Sequence, residues 1–468
     1  MKTARIVLLL LTAIPASSHA MVFRPPDVHM WDTWCFHHGS TWYLYYLTSS
    51  DWRVWNGVGV ATSRDGVHWE VQGQPIRKRE QCVWLGTGST WLSPHHDQDS
   101  TFHCNFSEQP QGEAQHIYFA ESTDLIHWRR SDIEFRQDAR WYDEQGRWDC
   151  IYTIRRPGGG LYGYWTATPR GSVGFGFGES DDGLRWKSLP PPALDWGANA
   201  APDACEIGAV ESIGGRYYAL VGHSGTMSTF VADCPQGPFR ATPENFHVLR
   251  GDCYFSRFFP SPGGLLVTHH SITHVRRETK PVCYAAPLKR AVIDDKGTLR
   301  LMWWEGNNGL RGEERVTELQ RHAGLAPVFL TTPVDVRRGT ILEGTVRFTE
   351  GTNLRHPGVF IACERGPGGA ISFQSSSVAV AGTLRHDGSG FAPDPRHTID
   401  RSLPAKPQAR FRILIRHSLV ESYVDDVLFN VFSLPQPASG RVGFLEGAAG
   451  IGDLKAWTMN LSDEEPPR

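Results

Sequence analysis

Metal and redox frameworks are missing from this 468-residue chain: its nine cysteines form no Cys-x-x-Cys pair and show no zinc-ligand spacing. The odd count leaves at least one thiol unpaired within a monomer, so disulfides are permitted without being dictated. Nucleotide motifs are absent as well. Gly174-Phe175-Gly176-Phe177-Gly178 lacks a strand-then-helix setting, and Gly86-Thr87-Gly88-Ser89 has no phosphate-loop lysine. No Gly-x-Ser-x-Gly nucleophile elbow stands out. No cofactor and no metal is expected on these grounds. Formal net charge is −3 with no basic run, which argues against nucleic acid as a partner. After residue 20 no apolar run is long enough to cross a bilayer, so no membrane partner is expected. Residues 1–20 carry Lys2 and Arg5, an apolar run from Ile6 and the ending Ser18-His19-Ala20, the pattern of a secretory signal. The sequence thus predicts a secreted or periplasmic protein whose mature chain begins near Met21. Asn105-Phe106-Ser107 and Asn460-Leu461-Ser462 fit the glycosylation sequon.

Long stretches of helical period are lacking too. In their place stand short aromatic and β-branched runs, such as residues 41–49, 57–63, 116–122, 161–168 and 216–222, separated by Gly, Pro, Asp and Asn. The class is all-β. A heptapeptide recurs: Ser-Arg-Asp-Gly-Val-His-Trp ends at Trp69, Ser-Thr-Asp-Leu-Ile-His-Trp at Trp128 and Ser-Asp-Asp-Gly-Leu-Arg-Trp at Trp186, in steps of 59 and 58 residues. Each repeat has the length of a four-stranded antiparallel blade, and the first part of the chain has room for about five. The expected architecture is a five-bladed β-propeller over residues 21–325, followed by a β-sandwich over 326–468, where strand patterns alternate without the repeat. The blade tryptophans are expected to pack between sheets.

Three acids keep the same beat. Asp32 and Asp149 lie 117 residues apart, two periods, and Glu206 follows 57 later. In a ring of sheets such positions converge on one cavity. A lone Asp in a β protein is usually a turn former, but three acids in one register, each in or beside a strand pattern, make a candidate catalytic set. Trp31, Trp84, Trp148 and Tyr254 lie beside the same strand starts and offer sugar-stacking faces, with core packing the equal alternative. Arg257 follows Glu206 by 51 residues, about where a fifth blade enters the ring, and is placed to steady substrate hydroxyls. His269-His270 could face a cation in a propeller channel, but a hydrogen-bonded core pair is the expected state. Cys35, Cys150 and Cys205 near the acids read as small apolar filling.

On these residues the chain resembles the glycoside hydrolases of family 32, which share their propeller with families 43 and 68. The carrying features are an aspartate at the start of blade one followed by residues 42–50, then residues 56–70, Gly86-Thr87-Gly88-Ser89, Arg147-x-Asp149 and Cys205-Glu206. The strand pair within residues 410–426 is similar to one near the end of the family 32 sandwich. The resemblance implies that Asp32 is the nucleophile, Asp149 the transition-state stabiliser and Glu206 the general acid/base of a hydrolase acting on an oligo- or polysaccharide, a fructofuranoside preferred. The family's Asn-Asp-Pro is Trp31-Asp32-Thr33 here, and its Arg-Asp-Pro is Arg147-Trp148-Asp149-Cys150. Breaking a glycosidic bond needs a proton donor and a carboxylate on opposite faces of the sugar. Asp32 is accordingly expected ionised and Glu206 protonated. Three alternatives stay open: a family 43-like inverting arabinofuranosidase or xylosidase, a sialidase-like propeller, and an inactive sugar-binding propeller.

Overall fold

The repeated heptapeptide closes the same hairpin three times. A computed structural model describes residues 23–461 apart from residues 27, 53, 274–281, 321–326, 349–355, 375–377, 386–389 and 398–402. In it Ser63, Ser122 and Ser180 each end the third strand of a four-stranded antiparallel sheet. Ser63 Oγ accepts the N–H groups of Asp65 and Gly66, while Asp65 Oδ1 accepts those of Val67 and His68 at 2.9 and 2.8 Å. Asp124 takes Ile126 and His127 at 2.9 and 2.7 Å, and Asp182 takes Leu184 and Arg185 at the same distances. Short polar side chains thereby replace the ladder as the turn's hydrogen-bond partners. The turn also needs a left-handed residue after the aspartate: Gly66 (φ +74°), Gly183 (φ +79°) and, in the middle copy, Leu125 (φ +65°). A non-glycine residue there costs about 1–2 kcal/mol. The tryptophans close the interface between sheets, Trp128 meeting Tyr45 edge-on at 6.1 Å and Trp186 meeting Trp91 at 6.3 Å.

Three such sheets, a fourth of six strands and the opening strands of an eleven-stranded sheet are the five blades of a propeller. Their inner strands are His29–His38, Cys82–Leu92, Trp148–Arg155, Glu206–Ile213 and Cys253–Ser261. These touch one another in that order, the fifth returning to the first, so the ring is closed. Asn105 helps weld blade II to blade III, accepting Ile151 N–H and donating to Ile151 O, both at 2.9 Å. It is fully buried, which corrects the sequon reading there: the folded chain offers no access to that amide.

The outermost strand of blade V, Leu299–Trp303, pairs through Met302 with Val427, so the propeller's last sheet runs on into the sandwich. Beyond that junction lie Val427–Ser433, Leu419–Val424, Gln408–Arg416, Thr340–Arg347, Ile451–Met459 and Arg311–Arg315. A second six-stranded sheet covers this face, and Val359, Phe373, Phe411, Ile413 and Phe444 fill the space between. A buried ion pair ties the two units: Lys289 Nζ of blade V lies 2.9 Å from Glu421 Oε1 of the sandwich. The boundary expected at 325/326 falls on residues 321–326, outside the described residues, yet Arg311–Arg315 already pairs with Ile451–Met459. The expected signal segment 1–20 and the start at Met21 also lie outside the described residues. All nine cysteines are described, and each is a free thiol.

Candidate active site

Every inner strand sits at the edge of its sheet, and every one breaks register with its partner at a similar depth. Asp32 is left without a partner between Trp31 and Thr33, Cys150 between Asp149 and Ile151, and Gly208 between Ile207 and Ala209. In blade II Thr87 and Gly88 fall out of pairing, and in blade V Phe255 and Ser256 do. Such bulges bend the strand and re-aim its side chains. Three of them hold non-glycine residues at positive φ: Asp32 (+35°), Cys150 (+40°) and Phe255 (+49°), a strain stored beside the acids. Relative to the bulges the acids are staggered, with Asp32 at its bulge, Asp149 one residue before and Glu206 two before.

The stagger brings the three carboxyls together. Arg147 bridges two of them, its Nη2 lying 2.8 Å from Glu206 Oε1 and 3.4 Å from Asp149 Oδ2. Tyr254 donates its hydroxyl to Glu206 Oε2 at 2.7 Å. Ser107 of blade II donates to Asp149 Oδ1 and in turn accepts from Gln115 at 2.7 Å. Asp32 Oδ1 is buried without a hydrogen bond, 4.0 Å from His270 Nδ1. Burial presses the Asp32 carboxyl well above its ordinary range, and the charge of Glu206 adds to this while Arg257 opposes it. Asp149 is raised by burial and pulled back by Arg147 and the Ser107 hydroxyl. The resting site therefore resists the ionised Asp32 that the sequence reading calls for. Burial pushes the Tyr254 phenol far up, keeping it a donor, and pushes His270 down to about 3, keeping that ring neutral.

Of the expected sugar contacts, Tyr254 touches Glu206, and Trp31 stands half-buried against His270 at 4.4 Å, with Trp52 edge-on at 5.4 Å. Trp84 lies near Asp149, since a Cβ added at Gly86 would meet Trp84 Cζ3 at 2.7 Å and Asp149 Oδ1 at 2.9 Å. Trp148 does not join them. It is fully buried among Phe135, Tyr142 and Trp165 and donates to Phe135 O at 2.9 Å. Adjacent strand residues face opposite ways, so aiming Asp149 at the channel sends Trp148 into the packing between blades. Arg257 is 1% exposed and lies beneath the acids, with Nη1 3.3 Å from Gly208 O. It is placed as a counter-charge and not as a surface contact. His269 and His270 are both fully buried, and among the described residues no three His, Cys, Asp or Glu side chains converge as metal ligands.

Sequence reasoning assigned no role to Arg147 or Ser107. Arg147 carried a signal, for it stands two residues before Asp149, a spacing that puts two side chains on one face of an extended segment. Ser107 carried none, because its approach depends on the pairing of Gly86 with Ser107. A cavity of about 500 Å³ is lined by none of the three acids; it opens at the other end of the inner strands.

No family model matches the sequence, and no curated protein does. Solved structures match along almost its whole length. Fructan 1-exohydrolase IIa from Cichorium intybus, also solved with 1-kestose, superposes with a TM-score of 0.70 at 13% identity over 96% of this chain and 98% of its own. The GH32 β-fructofuranosidase of Bombyx mori gives 0.69 at 13% identity, over 95% and 94%. Sucrose-6-phosphate hydrolase from Lactobacillus gasseri gives 0.68 at 16% identity, over 96% and 94%. From its first blade to the last strand of its sandwich, the chain has the fold of the family 32 fructofuranosidases.

Proposed function

We propose that the chain is a retaining glycoside hydrolase that cleaves a furanoside, a fructofuranoside first among them, and that it works outside the cytoplasm after loss of residues 1–20. The observation that carries this reading is the meeting of Asp32, Asp149 and Glu206 from three different blades, two of them bridged by Arg147. The 1-kestose bound by the chicory relative supports the sugar class.

Asp32 is the nucleophile. Its Oδ1 has no competing hydrogen bond, so it is free to approach an anomeric carbon, and Arg257 and Arg147 favour the anion that attack requires. Glu206 is the acid/base, and both its oxygens are occupied in the resting site, by Arg147 and Tyr254. Substrate hydroxyls that draw Arg147 toward themselves release Oε1 to hold a proton against the leaving oxygen. The site's proton, favoured on Asp32 by burial, must then stand on Glu206. Asp149, fixed by Ser107 and Arg147, is placed to accept sugar hydroxyls and to strengthen that contact as positive charge develops on the ring.

The test is a screen of sucrose, levan, inulin, arabinofuranosides and xylosides, with the first-formed anomer followed by NMR. Retention on a fructoside supports the reading; inversion on an arabinofuranoside or xyloside replaces it. Asp32→Ala should abolish turnover, and azide should partly rescue Glu206→Ala on an activated aryl glycoside. An exported protein whose N-terminal sequence still contains residues 1–20 would end the signal-peptide part.

A further inference from the structure

We propose that the mouth of the propeller channel opposite the acids binds a neutral sugar, about the size of a mono- or disaccharide. The cavity there measures about 500 Å³, within the roughly 300–1,000 Å³ of small-molecule sites. It is ringed by the far ends of the five inner strands, each an edge strand whose free ladder edge is turned from its own sheet. Edges of this kind present N–H and C=O groups that need partners. A polyhydroxyl ligand supplies both donors and acceptors.

The lining has the mixture that sugar recognition uses. Phe36 and Tyr217 offer aromatic surface, Thr90 and Thr153 offer hydroxyls, and Glu211 offers a carboxyl that accepts the Tyr152 hydroxyl at 2.7 Å. Glu211 owes its position to the bulge. Five residues separate it from Glu206, an odd number that in a regular strand would point the two to opposite faces. The extra residue Gly208 between them restores the parity, so one strand presents Glu206 to the acid site and Glu211 to the far cavity, roughly 15 Å along. Charge favours a neutral ligand over a phosphate or an amine: one carboxyl, pushed up to about 7 by burial against its Tyr152 hydrogen bond, is matched by one exposed arginine, Arg155, at the rim, while Arg257, which also lines the cavity, is buried and its charge is already offset by Asp32. A lone carboxyl lacks the partner that hydrolysis requires, so the site holds sugar without cleaving it.

The experiment is calorimetric titration of the full chain carrying Asp32→Ala, which blocks turnover, with sucrose, fructose and glucose, and separately with inorganic phosphate and choline. The same titrations are run with Glu211→Gln or Ser212→Trp added, the latter at an exposed rim position. Expected are a second saturable phase of sugar binding beside that of the acid site, weakening of that phase by about tenfold or more with Glu211→Gln, its loss with Ser212→Trp while acid-site binding persists, and unchanged hydrolysis in a Glu211→Gln single variant. Equal isotherms in all three folded proteins, or binding of phosphate or choline but of no sugar, would overturn the proposal. Binding is read without turnover, so failure of the hydrolase reading and failure of this one give different results.

Discussion

Tyr254→Phe isolates one contact in the acid site. The hydroxyl donates to Glu206 Oε2 at 2.7 Å, while the ring itself packs against His270 at 6.3 Å and survives the substitution. A hydrogen bond to a charged group is worth about 1.5–3 kcal/mol. If that contact orients Glu206 through proton transfer, kcat/KM on sucrose should fall about 10- to 150-fold. The loss should be smaller on an activated aryl β-fructofuranoside, whose leaving group needs little protonation. KM should move less than kcat, because the hydroxyl acts on the acid and not on the ground-state sugar. Equal losses on both substrates, or a rise in KM alone, would refute the assignment of Glu206 as the acid that Tyr254 orients.

Gly222→Ala should act through the same contact, since its Cβ would fall 2.5 Å from the Tyr254 hydroxyl; the double variant with Tyr254→Phe should lose little more than either single, measured as kcat/KM. Because the Asp32 pKa is raised in the fold, the stability its proton contributes is present below the unfolded value of about 3.9 and lost as pH rises through the folded value. Asp32→Asn should therefore raise Tm at neutral pH, with the gain shrinking toward pH about 4 in thermal melts. The acid limb of the wild-type rate profile should lie above the usual carboxylate range, and Arg257→Gln, which removes a charge that lowers Asp32, should move it further up. Glu421→Gln should cost about 3–5 kcal/mol in denaturant unfolding, because it leaves Lys289 charged and buried beside Pro287 O.

The blades were legible because the heptapeptide turn is made by local side chains, so its period survives as sequence. The three acids could be singled out because they keep the same period as the turns. Their stagger was not, since a bulge is a property of pairing between strands and leaves no mark in one of them. That same pairing decides that Trp148 faces the core and that Ser107 reaches Asp149. The start of the sandwich escaped notice because Arg311–Arg315, with sequence RGEER, is nearly all exposed and shows no apolar alternation. Its partner strand Ile451–Met459, 140 or so residues on, supplies the apolar face.

The most direct test of the account is to trap the covalent step. The full chain carrying Glu206→Gln, incubated with an activated aryl β-fructofuranoside, should accumulate a fructosyl ester that digestion and mass spectrometry place on Asp32. Turnover with no adduct on the peptide containing Asp32, or an adduct on Asp149 or any other residue, would contradict it.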